Sequence, residues 1–384
     1  MTEAAPDDRT ESLLLPAFAT AHSHAFQRAL RGKAQRPGPS SRDDFWSWRE
    51  AMYSLVEGLT PERMEEVARE AFAELYRAGV RTVGEFHYVH HARGGVPYAD
   101  PNELAHRVIA AALDSGLRIA LLRGIYERAG AGRDLAPGQE RFVDGSLDDG
   151  LRAVEALRRH YASDGRVRIG LAPHSTRAVR PGAWPLLIEF ADRAHLPCHV
   201  HVAEQPREID ECVAETGKRP LEFLADVGAV SGRFVAIHGT HLVEHEARIL
   251  GEARAFLCMC ATTERDLGDG LPNLGALRDA GVRLCMGIDS HVVCDPFEDM
   301  RALETHERLR TRARIASTRV GRPAEELWRS ASRLGSEACG FGDADDPMLR
   351  IPLRDPFFRF VDRGDELDAL VFSGSRALDG LLSE

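Results

Sequence analysis

Histidine and carboxylate residues recur at the ends of several short apolar segments of this sequence. The first such segment ends in His22 and His24, and because successive side chains of a strand point to opposite faces, the two imidazoles point the same way. Later segments end in further residues of these types: His199, His201, Glu204, His238, His241, Asp289 and His291. Three neutral imidazoles and one carboxylate from this set would suit zinc, with iron or manganese as competitors.

Such a metal site would supply hydrolytic chemistry. A catalytic zinc keeps one coordination position open for water and lowers the pKa of that water to about 7. Glu204 follows His201 closely enough to move protons, and Asp289 could both bind the metal and accept the proton of the water. The prediction depends on the same-face pair together with matching residues at the ends of later segments, not on any single histidine.

Eight apolar segments, each followed by a stretch with helical periodicity, would position these side chains. They cover residues 13–24, 80–88, 117–126, 167–175, 197–204, 234–241, 255–264 and 282–290. Eight such units predict an α/β fold, a closed (β/α)8 barrel in which the C-terminal ends of the strands meet at one face. We predict the catalytic barrel over residues 13–342, an N-terminal tail at 1–12 and a small C-terminal appendage at 343–384.

Two long connections accompany the predicted strands. Residues 31–52 carry an aromatic cluster beside an arginine, formed by Phe45, Trp46, Trp48 and Arg49. Long loops after barrel strands usually carry function, so this segment is expected to form part of a lid or substrate wall. Residues 129–145, rich in glycine and charge, form the second such loop.

Composition excludes several partners. The chain of 384 residues carries a formal net charge of −11, which would repel nucleic acid and anionic membrane surfaces. Its start has no signal-peptide pattern, and no apolar run approaches the ~18 residues that a membrane span needs. The sequence therefore predicts a cytoplasmic protein that acts on a small molecule.

Several specific stretches of the sequence are typical of one known family. They are HSHAFQRAL at 22–30, FWSWRE at 45–50, EFHYVHH at 85–91, APHSTRAV at 172–179, HVAEQ at 201–205, TTERDLGDG at 262–270 and GIDSHVVCDP at 287–296. Together they make the chain resemble the amidohydrolase superfamily, and in detail its members that hydrolyse N-formimino-L-glutamate in histidine degradation. The resemblance extends from Leu15 to about Arg310.

The resemblance implies a role for individual residues. The family's metal ligands fall on His22, His24, His201 and Asp289. Its catalytic groups fall on Glu204, His238 and Asp289, and its substrate contacts fall on Gln27, Arg49, Tyr88, His174 and Arg177. Glu204 would shuttle protons, and His238 would assist at the substrate nitrogen or the developing oxyanion. The two arginines can each hold a carboxylate through bidentate, charge-assisted hydrogen bonds, as a dicarboxylate substrate requires.

The number of metal ions follows from the scarcity of lysine. Many related hydrolases bridge two metals with a carboxylated lysine at the end of the fourth strand, but here that strand ends at Pro173, His174 and Ser175. The only lysines, Lys33 and Lys218, lie at no strand end, so one zinc per chain is expected. The implied products are ammonia and N-formyl-L-glutamate. The resemblance further implies a homodimer, and it implies that the small β-sandwich usual in the superfamily is reduced or missing.

Two other functions stay open at this stage. The same fold and metal could serve a deaminase of an aminated purine, pyrimidine or triazine, which would have no use for a pair of carboxylate-binding arginines. A barrel that has lost its chemistry could instead serve as a binding protein, although the presence of all four ligands and Glu204 opposes this. The nearby residues His90, His91 and His291 have no assigned role; they could support the ligands or simply lie at the surface.

Overall fold

The computed structural model of the chain describes residues 12–35, 45–342 and 346–374. Almost all of the predicted N-terminal tail therefore lies outside the described residues, as do residues 36–44 of the predicted lid and residues 343–345 and 375–384 of the predicted C-terminal appendage. Within the described ranges, no helix is both long and apolar enough to cross a membrane.

The described strands and helices alternate along most of the chain. The strands are β1 (Ser12–Pro16), β2 (Phe18–Ser23), β3 (Val80–His87), β4 (Arg118–Ile125), β5 (Val167–Pro173), β6 (Cys198–Val202), β7 (Phe234–His238), β8 (Phe256–Met259), β9 (Arg283–Met286) and β10 (Met348–Pro352). The helices are α1 (Phe45–Glu57), α2 (Pro61–Arg77), α3 (Glu103–Asp114), α4 (Leu147–His160), α5 (Trp184–Arg193), α6 (Pro206–Thr216), α7 (Pro220–Asp226), α8 (Glu244–Glu252), α9 (Ala261–Leu267), α10 (Leu274–Asp279), α11 (Pro296–Thr311), α12 (Pro323–Ala331), α13 (Arg333–Ala338) and α14 (Glu366–Ser373).

Strands β2 to β9 form one parallel sheet in sequential order. The sheet closes on itself where the end of β2 meets the segment after β9: the amide of His24 donates to the carbonyl of Asp289, and the amide of Asp289 donates to the carbonyl of His22. All residues of β2 and β3 are buried, as expected for parallel strands covered on both faces. The predicted (β/α)8 barrel is confirmed.

Several predicted segments extend past the strand that they contain, as at 282–290, where β9 ends at Met286, and two differ in more than length. The segment at 13–24 contains two strands, because the chain leaves one sheet at Pro16 and enters the barrel at Phe18. The segment at 255–264 is a strand only as far as Met259. Helix α9 follows almost at once, and its Glu264 side chain accepts a hydrogen bond from the amide of Cys260, which satisfies one of the free N–H groups at the helix start.

A two-stranded antiparallel sheet lies apart from the barrel sheet. It pairs β1 with β10, so that Leu13 lies opposite Ile351 and Leu15 opposite Leu349. Leu349 and Ile351 are buried against the core, whereas the alternate residues of β10 are exposed. In the described part of the chain, this is the only sheet outside the barrel.

Two fully buried arginines fix the long loop at 129–145 against its surroundings. The Arg123 guanidinium donates to both carboxylate oxygens of Asp144 at 2.8 Å. Arg141 lies at the other side of the loop and donates to the backbone carbonyls of Val56 and Leu59, at the end of α1 and just after it. Because α1 belongs to the predicted lid, these contacts hold that helix over the C-terminal end of the barrel.

Candidate active site

Four predicted metal ligands converge at the C-terminal end of the barrel. The Nε2 atoms of His22 and His24 lie 3.3 and 3.6 Å from Oδ1 of Asp289. The Nε2 atom of His201 lies 3.3 Å from Nε2 of His22. Two overlapping groups of possible metal donors share His22: one adds His24 and Asp289, and the other adds His201 and His238. All five side chains are buried.

The outer nitrogens of two of these histidines are held by backbone carbonyls. Nδ1 of His24 bonds the carbonyl of Phe86 at 2.8 Å, and Nδ1 of His201 bonds the carbonyl of His174 at 2.9 Å. A carbonyl only accepts, so each Nδ1 carries the proton and each Nε2 presents a lone pair. Burial lowers the pKa of His24 to about 3 and lowers the pKa of His201 as well, which keeps both rings neutral. Lone pairs that face one another in this way fit a shared divalent cation.

The backbone at these strand ends is strained. Among the described residues, seven that are not glycine have a positive φ, and four of them lie at this face of the barrel: Ala203, His238, Asp289 and His291. Left-handed conformations of such residues cost free energy and are retained where the surroundings demand them, typically at functional sites. Two of these four residues, His238 and Asp289, are site residues predicted from the sequence.

His291 supports the ligands without joining them. Its Nε2 lies 2.8 Å from Oγ of Ser23, and that hydroxyl also lies 2.5 Å from a carboxylate oxygen of Glu85. The other oxygen of Glu85 accepts from the amide of Ala25. This network fixes the residues on either side of His24. By contrast, His90 and His91 bond to the carbonyls of Gly124 and Val143 and lie outside the metal group.

A second cluster combines a histidine with acidic side chains beside the metal ligands. Nε2 of His238 lies 3.6 Å from Glu204 and 4.0 Å from Asp289, while its Nδ1 lies 3.4 Å from Glu264. Burial would lower the pKa of His238, but Glu204 and then Glu264 and Asp289 raise it to about 10. Burial raises the pKa of Glu204. A carboxyl group that readily takes up a proton and lies next to a charged imidazole can transfer protons at a reacting centre.

Glu208, in the first turn of α6, holds the backbone that carries Glu204. Its carboxylate accepts from the amides of Ala203 at 3.2 Å and Glu204 at 3.1 Å. Burial, and next the neighbouring Glu204, raise the pKa of Glu208 to about 7. The two hydrogen bonds compensate for the left-handed conformation at Ala203 and fix the direction in which Glu204 leaves the strand.

An open cleft of about 710 Å³ brings the remaining predicted residues to the metal ligands. Its walls include every predicted substrate contact, namely Gln27, Arg49, Tyr88, His174 and Arg177, together with the three predicted catalytic residues. His22 does not line the cleft and lies fully buried beneath it. The amide of Gln27 donates to the hydroxyl of Tyr88, and its Oε1 has no hydrogen-bond partner among the described residues. That oxygen is available to accept from a substrate N–H group.

Comparisons with known proteins agree with this geometry. The model of the amidohydrolase family matches residues 13–344. The chain belongs to the amidohydrolase family. It is 39% identical over 336 residues to formimidoylglutamate deiminase of Pseudomonas aeruginosa, covering 87% of this chain and 73% of that protein. It is 31% identical to the 8-oxoguanine deaminase of the same species over 285 residues, covering 73% of this chain and 60% of the relative.

A solved amidohydrolase from Brucella melitensis has the same fold. Its TM-score is 0.87 at 34% identity, and the match covers 98% of this chain and 86% of that structure. The sequence resemblance to the amidohydrolase superfamily is thus confirmed. The protein is a hydrolase that acts on C–N bonds, and within this family it is a deaminase.

Several residues of the amidohydrolase cleft were not predicted from the sequence. Tyr53 and Tyr126 line the cleft, and Glu264 contacts His238. Tyr53 follows Arg49 by four residues, so a helical interpretation of residues 45–57 would have placed the two side by side. Tyr126 ends a predicted strand, which was a usable signal. Glu264 ends the predicted segment 255–264, so its position gave the same signal.

Proposed function

We propose that the protein hydrolyses N-formimino-L-glutamate to N-formyl-L-glutamate and ammonia, with one zinc ion per chain. The observation that most supports this proposal is that metal donors and two arginines, Arg49 and Arg177, line the same cleft. Formiminoglutamate needs both features, because its reacting amidine carbon requires an activated water and its two carboxylates require cations. The identity to formimidoylglutamate deiminase also supports this substrate.

The proposed roles follow from the contacts of each side chain. His22, His24, His201 and Asp289 would hold the zinc, which when bound supplies a Lewis acid that activates water at neutral pH. Glu204 would take a proton released as water adds to the formimino carbon and deliver it to the departing nitrogen, so that the C–N bond breaks and ammonia leaves. His238 would donate a hydrogen bond to the reacting group, because Glu204, Glu264 and Asp289 keep its ring protonated.

The proposal is tested by measuring ammonia release from N-formimino-L-glutamate by the zinc-loaded protein. Guanine and N-formimino-L-aspartate serve as comparison substrates in the same assay. We expect ammonia and N-formyl-L-glutamate in equal amounts, with the highest kcat/KM for formiminoglutamate. Ammonia release from guanine alone would contradict the proposal.

A second candidate is a deaminase of an aminated heterocycle. The identity to 8-oxoguanine deaminase favours it, and aromatic side chains that could stack on a flat ring line the cleft, including Trp46, Trp48 and Phe142. This candidate leaves Arg49 and Arg177 without a partner in the substrate, so the two functions differ in what the arginines contribute.

Replacing either arginine with methionine is expected to raise KM for formiminoglutamate by about 10–100-fold, since a hydrogen bond to a charged group contributes ~1.5–3 kcal/mol. The value of kcat should change less, because the lost contact is made equally in the ground state and the transition state. Steady-state kinetics of R49M and R177M measure this. Arg180→Met is the matched control, because Arg180 is exposed and pairs with Glu127. Unchanged KM in both variants would favour the heterocyclic substrate.

A further inference from the structure

Gln139 lies behind the wall of the cleft and links two tyrosines that line it. Its side chain is fully buried in the loop at 129–145. Oε1 of Gln139 accepts from the backbone amide of Ala136 at 2.7 Å, which fixes the orientation of the side-chain amide. Nε2 therefore faces away from Ala136, and it lies 2.8 Å from the hydroxyl of Tyr53 and 2.7 Å from the hydroxyl of Tyr126.

The direction of these hydrogen bonds determines what the two phenols can do. An amide nitrogen only donates, so both hydroxyl oxygens accept from Gln139. The Tyr53 oxygen accepts a second bond from Nε of Arg49, and Arg177 lines the same cleft as Tyr126. A phenol oxygen has two lone pairs and one hydrogen. With its lone pairs engaged in this way, the hydrogen of Tyr53 is left free to donate, and the bond from Gln139 favours the same role for Tyr126.

The free hydroxyl hydrogens of Tyr53 and Tyr126 point toward the cleft. Tyr53 and Tyr126 both line the cleft, as do Arg49 and Arg177, whereas Gln139 does not. Burial, and next the neighbouring Tyr126, raise the pKa of Tyr53 to about 12, so this phenol keeps its proton at neutral pH. Each arginine is thus accompanied by a tyrosine hydroxyl that lines the same cleft. An arginine and a hydroxyl together offer several convergent donors to a carboxylate.

We infer that Gln139 orients the hydroxyl hydrogens of Tyr53 and Tyr126 toward the cleft, where they donate to a substrate carboxylate and give the site its preference for dicarboxylates. This inference rests on the proposed function. Tyr53 and Tyr126 are specificity-determining residues, and Gln139 is a positioning residue that acts through them. The three side chains come from α1, the end of β4 and the loop at 129–145, so the preference depends on how these segments meet.

Calorimetric binding of three product-like ligands tests the inference without turnover. N-formyl-L-glutamate carries both carboxylates, N-formyl-4-aminobutyrate lacks the α-carboxylate, and N-formyl-L-norvaline lacks the side-chain carboxylate. Tyr53→Phe and Tyr126→Phe should each weaken binding of the dicarboxylate by about tenfold or more, the usual effect of one hydrogen bond to a charged group. For each variant, the loss should disappear with the one ligand that lacks the contacted carboxylate.

Gln139→Leu tests the positioning role. It should weaken dicarboxylate binding in the wild-type background and have no further effect in the Y53F/Y126F double variant, because residues that act as a unit are not additive. Tyr161→Phe is the matched control, since Tyr161 loses only a bond to His106 on the outer helices. Thermal unfolding of every variant separates loss of fold from loss of contact.

Two results would overturn the inference. The first is an equal loss of affinity, or none, for all three ligands in the Tyr→Phe variants, because a purely structural role does not distinguish them. The second is a wild-type protein that binds the dicarboxylate no more tightly than either monocarboxylate. Failure of the proposed function appears separately, as the absence of ammonia release from formiminoglutamate in the assay described above.

Discussion

Replacing Glu204 with glutamine is expected to lower kcat by about 10²–10⁴-fold and to leave the metal content at the wild-type level. Glutamine keeps the size of the side chain and most of its contacts, but it cannot take up or release a proton at the reacting centre. The proposed metal ligands do not include Glu204, so the metal content should be unaffected. Steady-state ammonia release and metal analysis by mass spectrometry measure the two quantities on the same preparation.

Asp210→Asn is the matched control for this variant. Asp210 is an exposed carboxylate of α6, and the same carboxylate-to-amide change there should leave kcat unchanged. A wild-type rate in E204Q would remove Glu204 from the mechanism. A large loss of zinc in E204Q would instead assign Glu204 to the metal site and not to proton transfer.

Replacing His201 with asparagine is expected to empty the metal site and to reduce ammonia release to background. Asparagine is too short to bring a donor atom to the position of Nε2, which lies next to Nε2 of His22. The loss of one of the four proposed protein ligands weakens metal binding strongly. Zinc content after gel filtration of the zinc-loaded variant provides the measurement, and circular dichroism shows whether the chain is folded.

His241→Asn provides the comparison for this change. His241 was among the strand-end histidines that the sequence offered as candidates, but the structure leaves it outside the metal group. Its variant should keep one zinc per chain. Full zinc occupancy in H201N would show that His201 is not a ligand and would contradict the proposed site.

The convergence of the candidate metal donors could be predicted from sequence because their positions follow from two regularities. Alternation places His22 and His24 on one face, and a parallel barrel brings the ends of all its strands to one rim. The outcome is visible in the 3.3 Å separation of the Nε2 atoms of His22 and His201. Local pattern and global fold agree at these positions, so short-range information was sufficient.

Other features depend on contacts that no short-range pattern reports. From sequence alone, the apolar residues of 255–260 could continue one strand. Only the folded position of Glu264 shows that the strand ends and α9 begins at Ala261. Gln139 begins a short 3₁₀ helix within the loop at 129–145, and its role depends on the separate placement of α1 and β4. The division of the first segment did have a signal in Pro16, since proline lacks the N–H group needed to continue a strand ladder.

The closure of the barrel has a thermodynamic consequence for any ion bound at its rim. His22 and His24 lie at the end of the first barrel strand, and Asp289 follows the last, so a shared cation would cross-link the two extremes of the cylinder. An ion that binds only the native state shifts the folding equilibrium toward that state. Binding of such an ion and the free energy of unfolding are therefore coupled at the point where the first and last barrel strands meet.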